Sequence, residues 1–211
     1  MKELFLLSGL GADKRVFNFL DLTGYNLHHV VWIKPSAGES LADYAKKLLP
    51  QITKERPILM GVSFGGMIAL EIAKLIEVEK IILISSAKTS AAIPTYFKIM
   101  ANLKLQKLMP RSAIKKPNDM LFWLFGIDSD EHRNLLASIM EETDEIFFSW
   151  AIETIPRWKH DGVVDRVIQI HGTKDRVLRF QTADFSIKGG GHFMVVSHAR
   201  EISNIVKNVI Q

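Results

Sequence analysis

The first residue in this chain whose surroundings suggest chemistry is a serine framed by glycines. The run Gly61-Val62-Ser63-Phe64-Gly65-Gly66 fits the pattern G-x-S-x-G. Pro57 to Val62 before it reads as a strand, and Gly65 to Ile76 after it carries apolar residues at helical spacing. In that setting the pattern describes a sharp strand-to-helix turn that lifts a serine hydroxyl out of a sheet. Side chains at 61 and 65 would crowd such a turn, and Gly66 lets the helix pack close to the strand. The helix N-terminus brings backbone N–H groups and a partial positive charge beside the serine. A glycine-rich turn with an incidental serine has the same spelling, so partners are needed to decide.

A serine hydroxyl is a poor nucleophile at neutral pH and needs a base, which in turn needs an orienting acid. Two later loops offer them. His171-Gly172-Thr173-Lys174-Asp175 ends the strand-like run Val167 to His171, so Asp175 falls at a strand's C-terminal end, where open α/β sheets carry their sites. Gly189-Gly190-Gly191-His192 follows Phe185 to Lys188, and its glycines permit a tight loop that presents an imidazole. The expected roles are Ser63 as nucleophile, His192 as general base and Asp175 as its acid. A tetrahedral intermediate also needs oxyanion donors. These are expected to be the backbone N–H of Phe64, next after the nucleophile, and of Leu10 in the loop Ser8-Gly9-Leu10-Gly11.

The chain has seven histidines, so the other six need a place. His171 is expected to hold backbone near Asp175 rather than take part in chemistry. His28 and His29 lie on a strand, where one can be a satisfied core residue. His132, His160 and His198 fall in polar contexts and are expected in solvent. Asp161 and Asp165 precede their strand and are poor candidates for the acid. Ser85-Ser86, after the fourth strand, offer no carboxylate as an alternative.

The elements that must position these residues alternate. Leu4 to Ser8 is a short, nearly all-apolar strand. Asp13 caps a helix through Val16, Phe17 and Leu20. Leu27 to Ile33 is the second strand, ended by Pro35, and Ser40 caps a helix with Leu41, Tyr44, Ala45 and Leu48 on one face. Ile81 to Ile84 is the fourth strand. Such alternation predicts a mostly parallel sheet with helices on both faces. It stops between Ala91 and Trp158, where Tyr96 to Met109, Asp119 to Phe125, Glu131 to Glu141 and Glu145 to Ile155 read as helices, and resumes with Val167 to His171, Phe185 to Lys188 and a helix from Val195 to Ile210. With 211 residues the chain suits one domain. The division is a core of residues 1–90 and 159–211 and a helical insertion of residues 91–158.

The order Ser63, Asp175, His192, each after a predicted strand, resembles the α/β-hydrolase superfamily in its small, lidded, esterase-like branch. The resemblance covers most of the chain in layout and three short motifs in detail. It implies that the insertion is a lid over the strand ends. It also implies hydrolysis through an acyl-enzyme on Ser63. Where many members have His-Gly in the oxyanion loop, this chain has Ser8-Gly9. The chain opens at the strand carrying that loop, so the two usual leading strands are expected to be absent, leaving about six strands. Only sixteen residues lie between Asp175 and His192, so the helix usually found there must be short or missing.

Other readings fare worse. Gly9-x-Gly11 lacks the third glycine of a dinucleotide fingerprint, since position 14 is a lysine, and Trp32-Ile33-Lys34 offers no acid for a ribose. Glu131-His132 has no second histidine for zinc. No cofactor and no metal are therefore expected. With no cysteine, disulfides and thiolate chemistry are excluded. A net charge of +4 without aromatic–basic interleaving argues against nucleic-acid binding. No apolar run is long enough to span a membrane, so the expected compartment is cytoplasmic.

In the insertion, Met100, Met109, Met120 and Met140 with Phe122, Trp123, Phe147, Phe148 and Trp150 favour an apolar acyl or aryl substrate. Most of them are expected simply to pack. Lys98, Lys104, Lys107, Arg111, Lys115 and Lys116 come first and the acidic residues from Asp128 to Glu145 follow. Two solvated faces that pair explain this, and a basic rim for acyl-coenzyme A thioesters is the sharper alternative. The expected partner is a small-molecule ester or thioester. A non-catalytic ligand receptor, or a lyase, acyltransferase or cofactor-free haloperoxidase on the same scaffold, is the alternative.

Overall fold

The computed structural model describes residues 1–102, 117–162 and 164–210. Six strands, β1 (Lys2–Leu7), β2 (Tyr25–His29), β3 (Ile58–Val62), β4 (Lys80–Ile84), β5 (Val167–Gly172) and β6 (Phe185–Ile187), form one parallel sheet in the order β2-β1-β3-β4-β5-β6. The expected α/β class is the observed one.

Side chains alternate across a strand, and here both faces are covered. Leu4 and Leu6 of β1, Ile58, Met60 and Val62 of β3, and Ile82 and Ile84 of β4 pack on one side. There they meet Val16 and Phe17 and the C-terminal helices α7 (Met194–Ser197) and α8 (Ala199–Ile210). Phe5, Leu7, Leu59, Ile81 and Leu83 face the other way, against α1 (Leu41–Leu48) and α2 (Phe64–Ile72). Double coverage is why these strands read as continuous apolar runs.

The topology creates the crevice the chemistry needs. The chain leaves β1 toward β2 on one side and leaves β3 toward β4 on the other. The loops after β1 and β3 therefore diverge at the switch point between them.

Three expectations shift. The second strand spans Tyr25–His29 rather than Leu27 to Ile33. After Val30 donates to Leu6 O, side chains replace a neighbouring strand. Gln51 bonds both polar backbone groups of Val31, and the Tyr44 hydroxyl does the same at Ile33. The helix after Ser63 ends at Ile72, with turns beyond. The C-terminal helix is two helices, broken at His198, whose backbone (φ −123°, ψ 29°) is not helical.

Between β4 and β5 the described residues form α3 (Thr95–Asn102), α4 (Asp119–Phe125), α5 (Asp130–Glu142) and α6 (Glu145–Thr154). Asn118, Ser129 and Asp144 cap the last three through their side chains. The expected helix to Met109 runs past Asn102 into residues outside the described ones, as do Lys104, Lys107, Met109, Arg111, Lys115 and Lys116. Met140, Phe147 and Trp150 are buried and Phe122 and Phe148 pack partly, whereas Met120 and Trp123 are exposed. Most of these side chains that are described thus serve packing.

Candidate active site

Ser63 sits between β3 and α2 with φ 50° and ψ −116°. A non-glycine residue in such a conformation costs on the order of 1–3 kcal/mol, so its surroundings must hold it. They do. The Ser63 N–H donates to Ile84 O at 2.9 Å, and the Ser86 hydroxyl donates to Ser63 O at 2.6 Å. The flanking glycines are required by close approach. A Cβ on Gly61 would lie 2.4 Å from Gly66 Cα, and one on Gly65 would lie 2.2 Å from Leu7 O.

The acid and imidazole loops meet this turn from across the sheet. No helix separates β5 from β6; the chain crosses as a loop. Thr173 N–H donates to Ile187 O and Lys174 N–H to Gly190 O, tying the two loops together. Asp175 and His192 are each 5% exposed, whereas Ser63 is part-exposed. His192 Nδ1 lies 2.8 Å from Asp175 Oδ2, and His192 Nε2 lies 2.9 Å from Ser63 Oγ.

Burial pushes the Asp175 carboxyl up, but the charge and hydrogen bonds of His192 and His171 outweigh it. They hold the group well below the usual carboxylate range. An ionised carboxylate only accepts, so Nδ1 carries the imidazole hydrogen. Nε2 then presents a lone pair to the serine O–H. The structure thus brings all three predicted side chains into one relay that can take a proton from an attacking hydroxyl.

The loop after β1 lies against the same serine, since a Cβ on Gly9 would be 3.5 Å from Ser63 Cβ. Ser8 accepts from Trp32 Nε1 at 3.0 Å and donates to Ala12 O at 2.9 Å. The Ser8 hydroxyl thereby fixes the loop's shape. Phe64 is the first residue of α2, so its N–H has no intrahelical partner. Leu10 N–H donates to no other described residue.

Helix α4 closes on the imidazole loop. Phe125 packs edge-on to His192, with ring centroids 5.2 Å apart. The Phe193 N–H donates to Phe125 O at 3.0 Å, and a Cβ on Gly126 would lie 2.9 Å from Gly191 Cα. Arg176, next to Asp175, lays its guanidinium over Trp123 at 4.5 Å and donates to Trp123 O. Gly11 faces Phe148 and Met140. Phe125 thus stands beside His192, and Phe148 and Met140 beside the loop after β1.

His171 donates Nε2–H to Leu178 O at 2.8 Å, the backbone-holding part expected of it. His160 departs from expectation. It is 2% exposed rather than solvated, because the chain returning from the insertion tucks beneath α2 onto Glu71. Ser86 supports the turn at Ser63, a role its sequence context does not predict. Its sequence signal, a serine just past a buried strand, is too common to single it out.

A family model described as the alpha/beta hydrolase family matches residues 4–205. Solved structures share the fold at low identity. A hydrolase from Oleispira antarctica is 14% identical with a TM-score of 0.72, over 100% of this chain and 91% of that one. A thermophilic esterase from Thermogutta terrifontis is 12% identical with a TM-score of 0.68, over 100% and 89%. A bromoperoxidase from Bacillus anthracis is 17% identical with a TM-score of 0.60, over 99% and 91%. No curated protein matches the chain in sequence. Among the described residues, no helix is long and apolar enough to cross a membrane.

Proposed function

The chain belongs to the alpha/beta hydrolase family, and on that premise we propose that it is a serine hydrolase of carboxylic esters or thioesters with an apolar acyl or aryl group. The observation that carries this reading is the relay Ser63 Oγ, His192 Nε2, His192 Nδ1, Asp175 Oδ2, with separations of 2.9 and 2.8 Å.

Ser63 Oγ attacks the substrate carbonyl carbon while His192 Nε2 takes its proton. The N–H groups of Phe64 and Leu10 receive the oxyanion. His192 then gives the proton to the leaving alcohol or thiol as its bond to the acyl carbon breaks. Water, deprotonated by His192, attacks the acyl-serine; the bond from the acyl carbon to Ser63 Oγ breaks, His192 returns the proton to Oγ, and the acid leaves. Residues 91–158 act as a lid that excludes water and shapes the acyl side, with Phe125, Met140 and Phe148 as its inner surface. A cysteine-free chain suits work in the cytoplasm.

The experiment is a panel of p-nitrophenyl esters of graded chain length, with acyl-coenzyme A thioesters beside them. Turnover that rises with acyl length supports an apolar pocket. Preference for the thioesters supports the basic rim. A folded protein that turns over none of them returns the scaffold to the receptor or non-hydrolytic readings.

A further inference from the structure

Asp175 takes hydrogen bonds from more than His192. Its Oδ1 accepts from the backbone N–H groups of Val177 and Leu178, each at 2.9 Å. Its Oδ2, 2.8 Å from His192 Nδ1, also lies 3.3 Å from Nε2 of His171. His171 is on β5 and 4% exposed, and the same Nε2 lies 2.8 Å from Leu178 O. Both neighbours of Nε2 are acceptors, so that nitrogen carries the ring hydrogen, aims it at Leu178 O and keeps Asp175 Oδ2 in a longer electrostatic contact. Nδ1 is left as a buried lone pair with no partner among the described residues. The surroundings thus fix one tautomer.

We propose that His171 is a positioning residue for the reaction: its Nε2–H holds Asp175 Oδ2 in the orientation that meets His192 Nδ1. It also limits how strongly that oxygen draws a proton onto His192. The inference rests on the reading of Ser63, His192 and Asp175 as nucleophile, base and acid. Oδ1 is pinned by two backbone donors and Oδ2 by His192, and the His171 Nε2–H, 3.3 Å from Oδ2, adds an electrostatic restraint on the carboxylate's rotation. A donor on Oδ2 also draws charge from it, so removing that donor leaves His192 easier to protonate.

Other charged and titratable groups surround this pair. Tyr96 of α3 donates its hydroxyl to Val177 O at 3.2 Å. Lys88, Arg179 and Asp184 border a cavity of about 340 Å³ that His171 also lines. Lys88 and Asp184 pair with each other at 2.7 Å. Arg176 is turned away onto Trp123.

The test compares wild type with His171→Leu and His171→Gln, since a glutamine amide can place an N–H where the imidazole Nε2 stood. His171→Leu should lower kcat by about tenfold with KM nearly unchanged, the mark of an interaction made in the transition state. It should also move the acid limb of kcat/KM up by about half a pH unit, as lost competition for the carboxylate requires. His171→Gln should recover most of both. A folded His171→Leu variant with an unmoved limb, or a glutamine variant no better than leucine, overturns the proposal.

A second readout needs neither activity nor a variant at 171. The imidazole ¹⁵N–¹H spectrum of wild type should report His171 as the Nε2–H tautomer, with a signal that shifts in Asp175→Asn. Absence of that tautomer or of that shift also overturns the proposal. If Ser63 instead resists a fluorophosphonate and no ester is cleaved, the parent reading fails, while the spectrum still reads the contact between His171 and Asp175.

Discussion

Two buried imidazoles in this molecule hold a carboxylate through Nδ1, and they end differently. His192 Nδ1 lies 2.8 Å from Asp175, and His160 Nδ1 lies 3.2 Å from Glu71. Both carboxylates are almost out of solvent. At His192 the other nitrogen faces the Ser63 hydroxyl. At His160 it is buried with no partner among the described residues. Burial and the charge of Lys74 push His160 below the ordinary imidazole value, against the pull of Glu71. Glu71 also receives Trp158 Nε1 at 2.8 Å and Lys74 Nζ at 2.7 Å.

The difference is one of place. Asp175 and His192 sit on loops at strand ends beside a strained turn. Glu71 lies within α2, where it fastens the chain returning from the insertion. A carboxylate–imidazole pair is a packing unit in itself. It can move a proton for chemistry only where the fold aims the free nitrogen at a nucleophile.

Substitutions can break this contrast. Ser63→Ala should remove turnover by about 10⁶-fold, as loss of the nucleophile does in serine hydrolases, with the fold intact. Steady-state kinetics beside circular dichroism check this, and residual activity within about tenfold of wild type would move the nucleophile elsewhere. Asp175→Asn should lower kcat by about 10⁴-fold, because an amide selects the wrong imidazole tautomer. If Asp165→Asn were the damaging change instead, the acid would have been misassigned.

Acid should silence the enzyme before it unfolds it. Asp175 is held low, so it stays ionised where imidazoles titrate, between about pH 5 and 8. A carboxyl lowered in the folded state contributes stability that is fully present above its unfolded value of about 3.9. That stability is lost only as the pH falls through the lower folded value. The acid limb of kcat/KM should therefore fall in the imidazole range while circular dichroism stays unchanged. Coincident loss of rate and fold would contradict the relay. The smallest catalytic effect belongs to the other pair. Glu71→Gln should keep kcat within about threefold while lowering unfolding free energy by about 1–3 kcal/mol, since three donors lose a charged acceptor. Urea denaturation measures it, and a collapse of kcat in a folded Glu71→Gln protein would erase the distinction between the two pairs.

The sequence announces the first pair and hides the second for a physical reason. Gly61, Gly65 and Gly66 cluster in one recognisable turn pattern, although Leu7 O and Ser86 from other elements are what exclude a Cβ at 65 and 66, and strands covered on both faces spell themselves as apolar runs. Asp175 and His192 lie in the loops that follow β5 and β6, where glycines mark the turns. Glu71 and His160 are 89 positions apart and meet only through tertiary packing, so neither residue's neighbours signal the contact. The same holds for Gly126 against Gly191. His171 and Asp175 are four apart, but across a strand-to-loop turn rather than along a helix face, so spacing alone does not pair them. The second strand ends at His29 rather than Ile33 because Gln51 and Tyr44 satisfy the extended backbone beyond it, and their contribution has no local sequence signal.

The most direct test of the central claim is intact-mass and peptide-mapped labelling with a fluorophosphonate. The account predicts one adduct per chain, carried by the peptide containing Ser63, lost in Ser63→Ala and strongly slowed in Asp175→Asn. An unlabelled folded protein, or an adduct on any other serine, contradicts it.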